Sequence, residues 1–283
     1  MKTISDAHLS LAYRLGESSV PVDTTELGRR LDWFTTAINI VCAGNTPMWF
    51  LKSFTTLPTV ANQQDYDLSS LLVRKIYQVK VDNYQYELVP FDDVYEKYEL
   101  PTSPVPILPS FLQRAYYYRY NAIYLIPIPS SAPTAISTTI ISSGLVATAT
   151  TASAHGLVRG DYVVISGATP TGYNGTFMIQ SVPSITSFTY TIATTLSTPA
   201  TGTIIETPNN IKIWYFANPT PPTGLTSSIV IPDEFMDILI AYAEGRYWSY
   251  AHKRGKSADA FTEFETRLLD IKRENFRKMY GEN

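Results

Sequence analysis

The sequence predicts an α+β protein: a helix-rich host with a small antiparallel sheet, carrying an inserted all-β domain of sandwich-like type. Three observations lead there. Near both ends of the chain, apolar residues recur at spacings of three and four, as on helices that face a core. In the middle the period falls to two, with many Thr and aromatic residues, as in strands. Charge also vanishes abruptly: between Arg119 and Glu206 only Arg159 and Asp161 are charged, whereas acids and bases crowd the sequence beyond Pro232. Pro127, Pro129 and Pro133 stand near the entry of this stretch and Pro208 just past its exit. Residues 137–206 therefore read as a β domain inserted into a host made of 1–136 and 207–283, since insertions succeed at exposed loops whose ends lie close together.

Each element has its own signal. Ser5–Leu15 reads as a short helix. Leu27, Leu31, Phe34, Ile38 and Val41 form the stripe of a second, opened by Asp23 with Glu26 in a capping-box spacing and stopped by Gly44-Asn45 before Pro47. Phe50–Phe54, Tyr66–Leu68, Ile76–Val81 and Tyr84–Val89 read as strands. Phe91–Glu99 reads as a short helix, followed by a connector in which Pro101, Pro104, Pro106 and Pro109 discourage regular structure. Ala122–Ile128 and Ile211–Phe216 are matching strands, expected as neighbours in the host sheet. In the insert, Leu145–Thr151, Tyr162–Ser166, Phe177–Val182 and Phe188–Ile192 are strands, and Asn174-Gly175 has the chemistry of a two-residue hairpin turn. Ile231-Pro232-Asp233-Glu234 opens a helix with Phe235, Ile238, Leu239 and Tyr242 on its buried side. A terminal helix from about Ser257 carries Phe261, Phe264, Leu268 and Ile271 at the same kind of spacing.

Chemistry is harder to find than structure. A formal net charge of −3 argues against a protein that grips nucleic acid through a basic face. Cys42 is the single cysteine, so neither an intrachain disulfide nor a cysteine metal cluster can form, and its place on an apolar helix makes it a buried small hydrophobe. His8, His155 and His252 lie far apart in sequence without ligand spacing, and His155 before Gly156 reads as a satisfied turn histidine. Gly255-Lys256-Ser257 imitates the end of a phosphate-binding loop, but Tyr250 stands where that loop needs glycine. Asp92-Asp93 and Asp233-Glu234 are helix-start charges. No catalytic, cofactor-binding or metal-binding residues are assigned, and the chain is expected not to be an enzyme. With no apolar signal core and no membrane-length apolar run, it is expected to be soluble and made in a cytoplasm. The aromatic run that includes Tyr116, Tyr118 and Tyr120, together with the stripe Phe261, Phe264, Leu268 and Ile271, supplies the candidate interface residues.

The order of these segments resembles the head-to-tail adaptor (connector, or tail tubular) proteins of tailed bacteriophages. ISDAHLSLAYRLGES precedes TTELGRRLDWFTTAINIVCA, then QQDYDLSS, AIYLIPIP and IKIWYFANPTPP, and finally IPDEFMDILIAYAEGRYW with a charged terminal helix. The insert, with its His-Gly-Leu, Gly-Asp and Gly-Tyr-Asn-Gly-Thr-Phe segments, is similar to a β module that recurs in phage structural proteins. The resemblance implies a virion protein of the tail or neck, assembled in the host bacterial cytoplasm as a twelvefold ring of copies. Such a ring sits under the portal protein, docks tail nozzle, tube or fibre proteins, and extends a channel through which duplex DNA passes without specific binding; no membrane is involved. The alternative is a tail or baseplate protein whose β module binds a host-surface glycan.

Overall fold

The computed structural model describes residues 2–19, 23–44, 46–82, 84–92, 114–129 and 136–281. The expected Asn45 stop, Pro133, the Pro101–Pro109 connector and all but the first two residues of the Phe91–Glu99 helix lie outside the described residues. The chain divides into two compact units, Met1–Ser53 with Phe216–Asn283, and Phe54–Tyr215.

The first unit is helical. α1 spans Ile4–Leu15. It starts where Thr3 accepts from the Asp6 amide while the Asp6 carboxylate accepts from the Thr3 amide at 2.7 Å, a reciprocal capping box, and it stops at Gly16, whose φ of 77° suits glycine. α2 spans Thr24–Cys42 behind Asp23, which accepts from the Thr25 amide at 3.0 Å. The expected capping role of Glu26 gives way to ion pairs, at 2.6 Å with Arg29 and 3.0 Å with Arg30, because guanidinium donors outcompete an amide for a carboxylate. After a 3-10 turn at Asp233–Phe235 come α3, Asp237–Tyr250, and α4, Arg254–Tyr280. α4 begins three residues before the expected Ser257, which lies inside it and donates to the Gly245 carbonyl at 3.0 Å. A side chain at Gly245 would place its Cβ 2.9 Å from the Phe261 ring, so glycine sets the closeness of α3 and α4.

Phe34, Ile38 and Val41 of α2 share one core with Ile238 and Leu239 of α3 and with Phe264 and Ile271 of α4. Full burial of each such side chain stabilises by roughly 1.5–3 kcal/mol. Cys42 is buried, as its helix position predicts. The start of the chain is tied to the segment before α3: the Ile4 amide donates to the Ser227 carbonyl, and the Ile229 amide to the Lys2 carbonyl, each at 3.0 Å. His8 is fully buried edge-on to Phe34; burial, reinforced by the Arg30 charge, pulls its pKa down to about 4, so it is neutral in the fold.

The second unit holds two seven-stranded sheets. The first is built from β1 (Lys52–Leu57), β2 (Asp65–Asp67), β3 (Val73–Val81), β4 (Tyr84–Leu88), β5 (Ala115–Arg119), β6 (Ala122–Ile126) and β14 (Ile211–Ala217), in the order β1-β14-β3-β4-β5-β6-β2. This corrects two expectations. The host sheet is large and mixed, since β4 and β5 pair in parallel, rather than small and antiparallel. β6 and β14 are also separated by three strands. β6 is claimed by β5 through a tight turn at Tyr120-Asn121, whose φ angles of 50° and 59° match the right-handed twist of a hairpin. β14, with Ile211, Ile213, Tyr215 and Phe216 all buried, instead fills the interior position between β1 and β3.

The second sheet comprises β7 (Ile136–Ser143), β8 (Val146–Thr151), β9 (Tyr162–Ser166), β10 (Gly175–Met178), β11 (Ser181–Ser184), β12 (Ser187–Thr191) and β13 (Ile205–Asn209), in the order β10-β9-β13-β7-β8-β12-β11 with antiparallel neighbours. Ile140, Ile165, Tyr173, Phe188 and Tyr190 fill its core. Asn174-Gly175 is not the expected hairpin turn. β9 and β10 are joined by a longer loop in which Asn174 sits at φ −86° and its amide accepts from the Ala168 N–H and donates to the Ala168 carbonyl, both at 2.8 Å. The side chain thus replaces a backbone partner across the loop. Asn174→Ala should orphan both groups of Ala168 and cost about 2 kcal/mol, while Asn174→Asp keeps the acceptor and should cost less; thermal melts of the two variants decide it.

Glu206 on β13 is fully buried, and neither carboxylate oxygen has a hydrogen-bond partner among the described residues. Desolvation pushes its pKa up to about 7 from an ordinary 4.5. The folded state holds this proton more tightly than the unfolded chain, so the contribution is fully present below about pH 4.5 and is lost as pH rises through 7. Glu206→Gln should therefore melt above the wild type at about pH 8, by on the order of 3 kcal/mol, with the gap closing towards acid.

Candidate interaction surfaces

The terminal-helix stripe is filled from within the chain. Phe264 and Ile271 are core residues; Leu268 packs on the same core, and Phe261 lies against Gly245 and Tyr242. Charging Phe264 would therefore strike the helical core before any contact with a partner. The opposite side of α4 is open. Leu269, Phe276 and Tyr280 are 56%, 66% and 64% exposed, at spacings of seven and four that place them on one face, and the last two rings lie 5.2 Å apart. This second stripe was written in the sequence, but Lys272, Arg273 and Arg277 are interleaved with it and disguise it as a wet face.

The tyrosine cluster divides in three. Tyr116 is buried, and desolvation pushes its phenol up to about 12. Tyr118 is half-buried and donates to Asn121 Oδ1 at 3.1 Å. Tyr120 stands 77% exposed at the hairpin tip, with the Arg119 guanidinium 4.5 Å from its ring centre and 4.0 Å from that of Phe91. Arg114 similarly covers Tyr84 at 3.7 Å. Stacking on aromatic rings occupies these guanidiniums, so they are not presented as isolated charges.

The two sheets of the second unit meet through a defined contact. Lys212 of β14 pairs with Asp161 at 2.8 Å, with only 12% and 15% of their side chains exposed. Beside them Phe54 touches Tyr162 and Trp214, with ring centres 5.1 and 5.0 Å apart, and the Lys80 ammonium lies 5.6 Å from the Trp214 ring. Of the charged residues between Arg119 and Glu206, Asp161 is thus spent on this contact, while the outward positions of β7, β8 and β12 carry Thr139, Thr148, Thr150 and Thr189.

Sites for chemistry read differently. Among the described residues no group of three or more His, Cys, Asp or Glu side chains could hold a metal ion. Gly255-Lys256-Ser257 lies in the first turn of α4, and its lysine caps the Trp248 ring at 4.2 Å. His155 is only half satisfied: Nδ1 accepts from the Leu157 amide at 3.0 Å, while the buried Nε2 finds no partner among the described residues. No described helix is long and apolar enough to cross a membrane.

Together the two units make an α+β protein whose exposed aromatic residues include Phe276 and Tyr280 on α4 and Tyr120 at a hairpin tip. No protein-family model and no curated relative matches the chain. Among solved structures it is similar to a phage phi92 endosialidase, at 20% identity and a TM-score of 0.22, over 61% of this chain and 32% of that one. At that score the likeness supports no argument about fold or activity, and this chain spans about a third of that structure's length.

Removing the Lys212 ammonium leaves Asp161 nearly buried without its cation. Lys212→Ala should cost about 2–3 kcal/mol, and Asp161→Asn paired with Lys212→Gln should recover part of that loss; chemical denaturation of the three proteins measures both.

Proposed function

We propose that this chain is a structural subunit of a tailed-bacteriophage virion, assembling as a ring between portal and tail that extends the DNA channel and docks tail components. In this reading residues 1–136 and 207–283 are the adaptor host, and residues 137–206 are an inserted module on the outer rim. The observation that carries the proposal is the exposed stripe Leu269, Phe276 and Tyr280 on α4. Three large apolar side chains aligned on one helix face serve an assembling subunit better than an isolated one. The order of segments shared with adaptor proteins supports the same reading, and the formal charge of −3 suits a wall past which DNA must slide.

Sedimentation and electron microscopy of the purified protein test it: a closed ring is expected, whereas a stable trimer would favour a receptor-binding tail protein. Duplex DNA should bind weakly. Tight, salt-sensitive binding would overturn the channel reading, because counterion release requires a cluster of basic contacts. Replacing residues 137–206 with a short linker exposes the Lys212–Trp214 surface, so Lys212→Gln should accompany it. If that variant yields particles with full tail complements, the module makes no essential contact.

A further inference from the structure

We propose that the C-terminal half of α4 docks on the acidic turn ahead of α3 of a second copy of this chain. The inference rests on the self-assembly in the reading above and names the surfaces that would perform it. From residue 272 to 280, α4 carries Lys272, Arg273, Arg277 and Lys278 against the single acid Glu274, and all four bases are exposed. Their described ion pairs are local: Arg273 to Asp270 at 3.3 Å, and Arg277 and Lys278 to Glu274 at 3.5 and 3.7 Å. Exposed pairs of this kind contribute a few tenths of a kcal/mol, so the bases can exchange them for a partner's acids at little cost. Among these bases stand Phe276 and Tyr280, a ring pair of the type that anchors interfaces.

The matching surface is on the same molecule. From Pro232 to Asp237 inclusive there are three acids and no base. Asp233 accepts from the Lys2 amide at 2.7 Å, and Asp237 lies 3.5 Å from Arg267, whereas exposed Glu234 makes no ion pair among the described residues. The Lys2 contact starts α1 from this turn, and along α1 Leu9 and Tyr13 are 40% and 66% exposed, one helical turn apart. One surface is therefore basic with an exposed aromatic pair, the other acidic and next to the start of a helix that exposes Leu9 and Tyr13. Opposite charge around apolar anchors is the complementarity that fixes partner and register. A polyanion would satisfy the bases but would leave Phe276 and Tyr280 uncovered, so a second copy is the better fit.

The test is a charge swap on the full chain, read by sedimentation across a concentration series. Arg273→Glu with Arg277→Glu should weaken self-association at least about tenfold, as should Glu234→Lys alone, with melting temperatures near the wild-type value because all three sites are exposed. Mixing the two weakened proteins, or combining the three substitutions in one chain, should restore association, since each acid again meets a base. Phe276→Ser should weaken it with the charges intact. Wild-type association in the reversal variants, failure of the swap to restore it, or a wild-type protein that stays monomeric at every concentration would overturn the inference. A closed dimer that obeys the swap would keep this contact and end the ring reading.

Discussion

The helical unit is organised around one buried cation. Arg30 is 1% exposed, and a guanidinium cannot shed its charge to enter a core. Its neighbours must answer it: Glu26 at 3.0 Å from one turn back on α2, Glu17 at 2.7 Å from the segment after α1, and the Tyr247 ring of α3 at 5.9 Å. Three parts of the unit are thereby held in register by one side chain. Burial chiefly keeps His8 neutral, and the same charge adds to it, since a second cation so near would be repelled as well as desolvated. Arg14 repeats the device nearer the surface, joining α1 to Glu244 of α3 and Glu263 of α4 at 3.2 and 3.0 Å. Removing either acid from Arg30 is far costlier than removing an exposed pair, because the cation remains buried.

One part of the second unit achieves its order with hardly any charge. In its β7–β13 sheet, loops are fixed by amide and hydroxyl bonds: Asn174 to both backbone groups of Ala168, and Tyr173 OH to Ser142 Oγ at 2.6 Å and to the Ser197 carbonyl at 3.1 Å. Such neutral bonds are insensitive to salt and individually modest. The two units also respond to acidity in opposite senses. His8 disfavours the helical fold as pH falls from 6.5 through 4, and Glu206 disfavours the β fold as pH rises from 4.5 through 7.

Much of this was legible in the sequence, for identifiable reasons. Helix stripes such as Phe34, Ile38 and Val41 were readable because burial on a helix is periodic and local. The start of α2 at Asp23 was readable too, since capping spans only two or three residues. What failed depended on competition among possible partners, near and far along the chain. Glu26 left its cap for Arg29 and Arg30; β14 left β6 for a place between β1 and β3; and the hairpin fell at Tyr120-Asn121, where non-glycine residues hold positive φ, rather than at Asn174-Gly175. The candidate surface shows the same limit. Periodicity marked the buried stripe of α4 at Phe264 and Ile271, while the exposed stripe was obscured by the bases between its members.

The helical unit closes only when segments more than two hundred residues apart meet, as where the Trp49 amide donates to Asn275 Oδ1 at 2.8 Å. The second unit is continuous, from Phe54 to Tyr215. On a ribosome the β unit can therefore complete its pairing while α1 and α2 still wait for α3 and α4 to emerge. Until then the faces of Phe34, Ile38 and Val41 lack their covering helices. If contacts between copies also use α4, a nascent chain is incompetent to join its neighbours until α4 is made, so synthesis itself withholds assembly from chains that still lack it.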